Sequence, residues 1–245
     1  DRPNPIGGLM VEGNLLESAF ASFVGLYPIP IRYGLTIGEL AHLFNVEFEI
    51  GADLHVVNLD GWNRSMRWHD TGLPWVAPSP NMPSLETAAV YPGMCFFEGT
   101  NVSEGRGTTR PFEQVGAPFV DGFAVAEALE ARQIPGAGWR PVSFRPAFSK
   151  HIDHVCRGVQ LHVMDEEAFE PVRAGFEALS TIRRLSSDFE WRANHEGIHN
   201  FDKLAGSDRV RQAIDDGIDV VDLMEEWARE RRPFENIRQR YLRYD

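Results

Sequence analysis

Apolar residues in the first third of the chain are spaced in a way that predicts helices separated by loops and short strands. A helix is predicted over residues 15–24, because apolar side chains recur at helical intervals at Leu15, Leu16, Ala19, Phe20 and Phe23. Thr36 and Glu39 have the spacing of a capping box, which predicts a second helix to about residue 45. The apolar run 54–59 predicts a strand, and residues 60–83 form a long loop rich in tryptophan.

The rest of the chain continues with strands and then becomes helical. Ser84 is placed to cap a helix through residue 90, and residues 95–97 predict a buried strand before a polar loop at 98–111. Asp121 is placed to cap a helix over 123–132, and strands are predicted at 142–148 and 158–164. Helical patterns follow at 167–186, 207–215, 220–230 and 233–241. This order predicts an α/β fold with a mixed sheet, flanking helices and a helix-rich C-terminal part.

Composition and charge narrow the class of protein. The 245 residues suffice for one large domain or two small ones. A net charge of −12 argues against nucleic-acid binding, and no run approaches the ~18 consecutive apolar residues of a membrane span. Cys95 and Cys156 lie in apolar runs, which favours buried free thiols over a disulfide. The opening residues are dense in proline and glycine without an initiator methionine, which is typical of the interior of a longer protein.

Residues 98–110 (EGTNVSEGRGTTR) form the densest group of polar side chains. They combine two carboxylates, two arginines, an asparagine and four hydroxyl groups with three glycines, which suits a polyhydroxylated ligand. A phosphate loop fits less well, because its glycine-lysine pattern is absent and Glu98 and Glu104 would repel phosphate. A well-hydrogen-bonded surface loop is the structural alternative.

Two further positions are candidates for chemistry. Glu12 lies between Val11 and Gly13, where partial burial would raise its pKa as a general acid requires. A capping or solvent-facing glutamate explains the same pattern. Asn81 is a candidate ligand donor, although turn formation explains it equally well.

A group of histidines and neighbouring residues superficially resembles a metal site, with His151, Asp153, His154, Cys156 and His162. Their spacing fits neither a helical HExxH motif nor a paired-cysteine zinc motif, and alternation along a strand would place them on both faces. We therefore expect neither a metal nor another cofactor. A metal-dependent hydrolase built on these residues is the third functional hypothesis.

Several strings together resemble one bacterial family. They are residues 1–8 (DRPNPIGG), 11–13 (VEG), 22–25 (SFVG), 28–41 (PIPIRYGLTIGELA), 73–83 (LPWVAPSPNMP), 91–93 (YPG), 98–113 (EGTNVSEGRGTTRPFE) and 116–118 (GAP). The similarity continues through residues 158–160 (GVQ) to 241–244 (YLRY), so it spans essentially the whole chain. On these strings, and on 98–113 above all, the chain resembles the exo-acting β-N-acetylmuramidases, which are peptidoglycan glycosidases.

The resemblance implies an enzyme that removes N-acetylmuramic acid from the non-reducing end of peptidoglycan-derived saccharides, outside the cytoplasm. It also implies a Rossmann-like half upstream of residue 1, with the active site between the halves. The chain is then expected to be the second half, with its N-terminal half as a missing partner. Residues 1–60 would continue the inter-domain region and form the first α/β elements, and residues 61–245 would form a C-terminal α/β domain carrying loop 98–113.

Glycoside cleavage generally needs two carboxyl groups. Glu12 matches the glutamate of the family's Val-Glu-Gly motif and is expected to be one. Its partner is expected in the missing half, with Glu104 as the fallback within this chain. Arg106 or Arg110 is expected to bind the lactyl carboxylate of N-acetylmuramic acid through two parallel charge-assisted bonds. Further substrate contacts are expected from Arg2, Asn4, Asn81, Asn101, Ser103 and Thr109.

One position departs from the family pattern, because Tyr33 stands where the family usually has histidine. A tyrosine lacks the proton chemistry of imidazole near neutral pH. Tyr33 and the lack of a second assigned carboxylate leave an alternative function open, that of a non-catalytic module that binds cell-wall sugar.

Overall fold

Five β-strands and eight α-helices make up the computed structural model, which describes residues 1–245. In the N-terminal part lie β1 (Glu12–Leu15), β2 (Pro30–Arg32) and α1 (Ile37–Glu47). The central part contains α2 (Leu85–Met94), β3 (Gln114–Ala117), α3 (Gly122–Glu130), β4 (Ala137–Phe144) and β5 (Cys156–Val163). The C-terminal part consists of α4 (Pro171–Leu185), α5 (Asn200–Ala205), α6 (Arg209–Asp216), α7 (Val220–Glu230) and α8 (Arg232–Gln239).

The strands form two separate antiparallel sheets. β1 pairs with β2, and β5 lies between β3 and β4 in a three-stranded sheet. The expected mixed sheet is therefore wrong. Residues 145–155 join β4 to β5 without a helical crossover, and only parallel neighbours need such a crossover. The α/β composition and the helix-rich C-terminal part are confirmed.

One large hydrophobic core includes residues from the three-stranded sheet and from helices α2 to α7. Helices α2 and α4 are in close backbone contact at Gly93 and Gly175. A Cβ atom added to Gly93 would lie 1.7 Å from the carbonyl oxygen of Pro171, and one added to Gly175 would lie 2.2 Å from that of Gly93. The absence of both side chains therefore lets the start of α4 lie directly against α2.

A second, smaller core joins the beginning of the chain to its last helix. Its buried members are Leu35, Leu40, Leu43, Phe234 and Tyr241. Beside it, the backbone N–H of Arg64 donates to the carbonyl of Asp245 at 2.7 Å. The Tyr244 hydroxyl donates to Asp1 Oδ2 at 2.6 Å. Segments from the two ends of the chain thus stabilise each other.

The helix starts predicted from capping residues are confirmed. Thr36 and Glu39 form the reciprocal capping box of α1. Ser84 accepts the N–H of Thr87 at the start of α2, and Asp121 accepts two N–H groups at the start of α3. These bonds form within three residues of sequence, so local pattern suffices to predict them.

Three predicted elements are wrong. Residues 15–24 contain the end of β1 and one short 3₁₀ turn instead of a helix. Leu15 belongs to β1 because it pairs with Pro30 of β2. The Phe23 side chain, expected on the apolar face of the helix, is fully exposed to solvent. Residues 54–59 form no strand, and most of their side chains are exposed. Residues 95–97, predicted as a buried strand, lie in a 3₁₀ helix (Cys95–Gly99) that continues from α2, with Phe96 and Phe97 buried. The short elements β3 and α5 were not expected.

Both cysteines are free thiols, as predicted, with Cys156 buried and Cys95 partly so. None of the helices combines the length and apolar character needed to cross a membrane.

Candidate active site

Glu12 and Arg32 lie directly opposite each other in the register of β1 and β2. Gly13 follows at a φ of 84°, where a Cβ would come within 2.7 Å of the Ile31 side chain, so glycine is needed for this close pairing. Arg32 Nη1 donates to Glu12 Oε1 at 2.5 Å, and both side chains are buried. The sequence Val-Glu-Gly thus folds into a buried, arginine-paired carboxylate rather than a solvent-facing one.

The other carboxylate oxygen of Glu12 faces the start of α4. Glu12 Oε2 accepts the backbone N–H of Val172 at 3.3 Å, at the positive end of the helix dipole. Burial raises the pKa of Glu12, opposed by the Arg32 guanidinium and the Val172 N–H. A carboxyl group with a raised pKa suits the role of general acid.

Arg32 also lines a narrow crevice beside the N-terminal loop and the start of α4. The crevice residues are Ile6, Arg32, Arg67, Ala89, Val163, Glu166, Phe169 and Pro171. Arg32 Nη2 donates to the carbonyl of Ile6 at 2.9 Å, whereas its Nε is buried without an acceptor. A buried donor without an acceptor costs about 1–3 kcal/mol.

Loop 98–113 contains a second group of charges, and it is arranged as a network. Arg106 donates to Glu98 Oε1 at 2.5 Å and lies 3.3 Å from Glu104 Oε1. Glu104 Oε2 lies 2.8 Å from Lys150 Nζ, an ion-pair distance. Glu104 is buried, whereas Glu98 and Arg106 are partly exposed.

Lys150 also holds the backbone of this loop. Its Nζ donates to the carbonyls of Phe97 at 2.7 Å and Val102 at 2.9 Å. Burial lowers the pKa of Lys150, and the charge of Glu104 acts against that shift. The loop is therefore a fixed structure, with Glu104 flanked by two cations.

Arg110 is held differently from Arg106. Its Nη1 donates to Glu113 Oε2 at 2.8 Å, and the buried Glu113 also accepts the Thr87 hydroxyl at 2.7 Å. The Arg110 side chain is 53% exposed, so much of its guanidinium faces solvent. Arg110 is thus oriented by one bond and open to a ligand, whereas the guanidinium of Arg106 already has two carboxylate partners.

Tyr91 on α2 lies beside the partly exposed Arg106 of the loop network, because both side chains pack against Phe112. Its ring packs edge-on against Phe112 with centroids 4.8 Å apart, and Arg106 lies over the same Phe112 ring at 5.1 Å. Burial raises the pKa of Tyr91 to about 12, with smaller contributions from Cys95 and Glu98. The hydroxyl therefore stays protonated and is available as a hydrogen-bond donor.

The other predicted substrate contacts lie in varied surroundings. Asn101 has its side-chain amide occupied by the carbonyl of Asp188 and the N–H of Glu190. The Asn4 side-chain amide likewise donates to the carbonyl of Leu35 and accepts the backbone N–H of Ile6. Ser103 is buried and accepts the N–H of Gly105. Arg2 and Thr109 are exposed and Asn81 is half-buried, and the side chains of these three residues form no bonds within the chain.

The structure does not bring all predicted residues together. Glu104, Arg106 and Ser103 belong to the loop network, whereas Glu12 is bonded to β2 and α4 and shares no bonding partner with Glu104. Tyr33 is half-buried beside the small core, and burial raises its pKa.

The histidines of the metal hypothesis are not gathered into a site. His151 Nε2 bonds the carbonyl of Asn101 at 2.7 Å, and His154 bonds within its own turn. No three His, Cys, Asp or Glu side chains are grouped in a way that could hold a metal ion. The hypothesis of a metal-dependent hydrolase on these residues is therefore wrong.

Sequence reasoning missed Arg32, Lys150 and Tyr91. Arg32 requires the register of two strands, which no local pattern specifies. Lys150 is one of only two lysines in the chain, and that scarcity is a signal that would have drawn attention to it. Tyr91 requires knowledge that α2 packs beside loop 98–113.

The buried Glu12 with its raised pKa and the rigid loop 98–113 of hydroxyl groups, carboxylates and arginines are two separate candidate features for a saccharide-processing protein. Comparison with known proteins agrees with this class. Residues 89–244 match the family model described as exo-beta-N-acetylmuramidase NamZ, C-terminal, and residues 1–86 match the corresponding N-terminal model. The chain belongs to the NamZ family of exo-β-N-acetylmuramidases.

Individual relatives cover the whole chain. A peptidoglycan beta-N-acetylmuramidase NamZ from Bacillus subtilis (strain 168) is 49% identical over 245 residues, which are 100% of this chain and 58% of the relative. Two crystal structures of DUF1343 family proteins from Bacteroides fragilis NCTC 9343 are similar to the full chain and to 65% of each solved chain. Their TM-scores are 0.90 and 0.79, at 33% and 28% identity.

These matches correct one expectation. The N-terminal half was expected to be a missing partner, but residues 1–86 match the N-terminal family model, so the chain does not consist of the C-terminal half alone. The upstream Rossmann-like domain and the domain boundary at residues 60–61 stay predictions. The chain spans 58% of the length of the curated relative.

Proposed function

We propose that this chain is part of a glycoside hydrolase that releases N-acetylmuramic acid from the non-reducing end of peptidoglycan fragments. The observation that carries the proposal is the 49% identity to the Bacillus subtilis peptidoglycan beta-N-acetylmuramidase along all 245 residues. The buried, arginine-paired Glu12 supports it, because carboxylate acid catalysis is the usual means of glycoside cleavage. Peptidoglycan lies outside the cytoplasm, so the proposed site of action is extracytoplasmic.

Within this proposal each residue has a distinct task. Glu12 protonates the leaving-group oxygen, with Arg32 and the Val172 N–H holding its carboxyl group in place. Glu104 is the candidate within this chain for the second carboxylate. Arg110 binds the lactyl carboxylate, and its exposure favours it over Arg106. Six residues remain candidate substrate contacts: Arg2, Asn4, Asn81, Asn101, Ser103 and Thr109. Among the uncharged ones, Asn81 and Thr109 are favoured because their side chains form no hydrogen bonds within the chain.

The function is tested by incubating the intact protein with a disaccharide that has N-acetylmuramic acid at its non-reducing end. We expect release of free N-acetylmuramic acid, detected by mass spectrometry, and no release from a disaccharide with the two sugars in reverse order. Tight binding of the first disaccharide without release would instead support the alternative of a non-catalytic sugar-binding module.

Arg110→Ala is expected to reduce selectivity for muramic acid. Loss of a charge-assisted hydrogen-bond pair costs about 1.5–3 kcal/mol, so kcat/KM on a muramic acid glycoside should fall by about 10- to 100-fold. A glucosamine glycoside, which lacks the lactyl carboxylate, should be hydrolysed at its usual rate. The measurement is kcat/KM of the variant on both glycosides.

Arg184→Ala is the matched control, because Arg184 is an exposed arginine on α4 without an ion pair. It should leave both substrates unaffected. Equal losses on both glycosides in Arg110→Ala would contradict the selectivity role.

A further inference from the structure

Residues 66–82 form an aromatic segment next to the crevice that contains Arg32. The backbone N–H of Trp68 donates to the carbonyl of Pro5 at 3.2 Å, immediately before the crevice residue Ile6. Arg67 lines the crevice itself and pairs with Glu166, with Nε and Oε2 3.2 Å apart. The aromatic segment therefore borders the crevice that contains the partner of Glu12, yet none of the proposed roles uses its tryptophans.

Trp68 and Trp75 are held as a preformed pair. Their ring centroids lie 5.4 Å apart with the planes at 88°. Trp68 Nε1 donates to the carbonyl of Leu73 at 3.1 Å, and Trp75 Nε1 donates to that of Met82 at 3.3 Å. Both rings are half-buried, and their N–H groups are already bonded within the segment. What remains for a ligand is apolar ring surface in a fixed orientation.

The stretch of chain that carries Trp75 is free of charge, whereas Trp68 is flanked in sequence by Arg67, His69 and Asp70. Residues 71–85 include no acidic or basic side chain, although charged residues make up 24% of the protein. Leu73 and Val76 are 52% and 77% exposed, so the segment is an exposed uncharged surface rather than part of a core. Such a surface favours an uncharged ligand with an apolar face over an anionic one.

We propose that Trp68 and Trp75 form a subsite for the uncharged N-acetylhexosamine ring of a peptidoglycan fragment, and this rests on the proposed function. A pyranose ring presents a face of C–H groups that packs on an aromatic ring. Peptidoglycan alternates an uncharged N-acetylglucosamine with N-acetylmuramic acid, whose lactyl carboxylate is free and anionic in fragments that have lost the stem peptide. The uncharged surface at residues 71–85 matches the first sugar, whereas the exposed guanidinium of Arg110 matches the second.

The test is binding of N,N′-diacetylchitobiose, an uncharged disaccharide, to the intact protein by calorimetry. Trp75→Ala is expected to raise the Kd about tenfold, and Trp75→Phe, which keeps an aromatic ring, should stay within about threefold of the unsubstituted protein. Trp191→Ala is the control, because Trp191 is also half-buried with a bonded indole N–H but lies outside this segment. It should leave the Kd unchanged, with circular dichroism showing that each variant is folded.

The outcomes separate this subsite from the proposed function. If N-acetylmuramic acid is released normally but Trp75→Ala binds chitobiose like the unsubstituted protein, the subsite is overturned and the function stands. If no release occurs but Trp75→Ala weakens binding tenfold, the subsite stands and the function fails. A folded Trp75→Ala that binds sugar normally but loses self-association would assign the surface to a second copy of the chain and overturn the proposal.

Discussion

Glu12→Gln is expected to reduce kcat/KM for release of N-acetylmuramic acid by about 10²- to 10⁴-fold, the usual contribution of a general acid. Glutamine keeps the shape of the side chain, but it has a single oxygen, so it can accept either from Arg32 or from the Val172 N–H and turns an NH2 group towards the other donor. It cannot give a proton to the leaving-group oxygen. The measurement is steady-state hydrolysis of a muramic acid glycoside by the intact protein.

Glu177→Gln provides the matched control for this substitution. Glu177 is also a buried carboxylate paired with an arginine, with Arg132 Nε 2.7 Å from its Oε2, but it lies within α4 and away from the candidate site. Both variants remove the charge of a buried, arginine-paired carboxylate, so both should lower the unfolding temperature, although Glu177 has a second partner in Arg173, with its Nε 3.8 Å from Oε1. Only Glu12→Gln should lose activity. A folded Glu12→Gln with full activity would rule out the catalytic role.

The direction of the pH dependence follows from the burial of Glu12. A general acid must be protonated, so activity is lost as the pH rises through its pKa. Because burial raises the pKa of Glu12, that loss should fall at a higher pH than for an exposed glutamate. The alkaline limb of the kcat/KM profile reports this value in the free protein.

Gly93→Ala is expected to lower the free energy of unfolding by about 2–3 kcal/mol, near the upper end of the usual cost of overpacking. The new Cβ would overlap the backbone of Pro171, which cannot rotate away, so α2 and α4 must separate. The gain of about 1 kcal/mol that alanine normally brings to a helix is smaller than this cost. Urea unfolding followed by circular dichroism measures the difference.

Gly217→Ala distinguishes steric overlap from backbone strain. Gly217 has a φ of 73°, but no atom lies within 4 Å of the position its Cβ would take. Its replacement should cost only about 1 kcal/mol, the penalty of the left-handed conformation. If Gly93→Ala were no worse than Gly217→Ala, the close contact between α2 and α4 would not be a determinant of stability.

Local signals predicted the parts of the fold that depend on local bonds. Thr36, Ser84 and Asp121 cap helices because each bonds an N–H two or three residues away, and the sequence within that window specifies the bond. The predicted helix over residues 15–24 failed because helical spacing at Leu15 and Leu16 competes with pairing to a strand fifteen residues later. That outcome depends on tertiary contacts, which periodicity does not contain.

In the candidate site, too, the sequence predicted local features but not tertiary contacts. The sequence identified Glu12 and loop 98–113 as chemically unusual, and the structure places Glu12 in a buried ion pair and the loop in a rigid network. The sequence could not identify the partners Arg32 and Lys150, because strand register and the packing of residues 145–155 bring them into place. Composition indicates which groups are unusual, and only tertiary structure shows which groups they meet.

The small core at the two ends of the chain has a consequence for how the protein is made. Leu35, Leu40 and Leu43 reach the outside of the ribosome long before Phe234 and Tyr241 are synthesised, so their apolar surface stays uncovered throughout elongation. Contacts between residues so distant in sequence also close slowly. Val11, Leu15, Ile29 and Tyr33, in and beside β1 and β2, pack against this core, so the surroundings of Glu12 and Arg32 are complete only once the C-terminal residues have joined it.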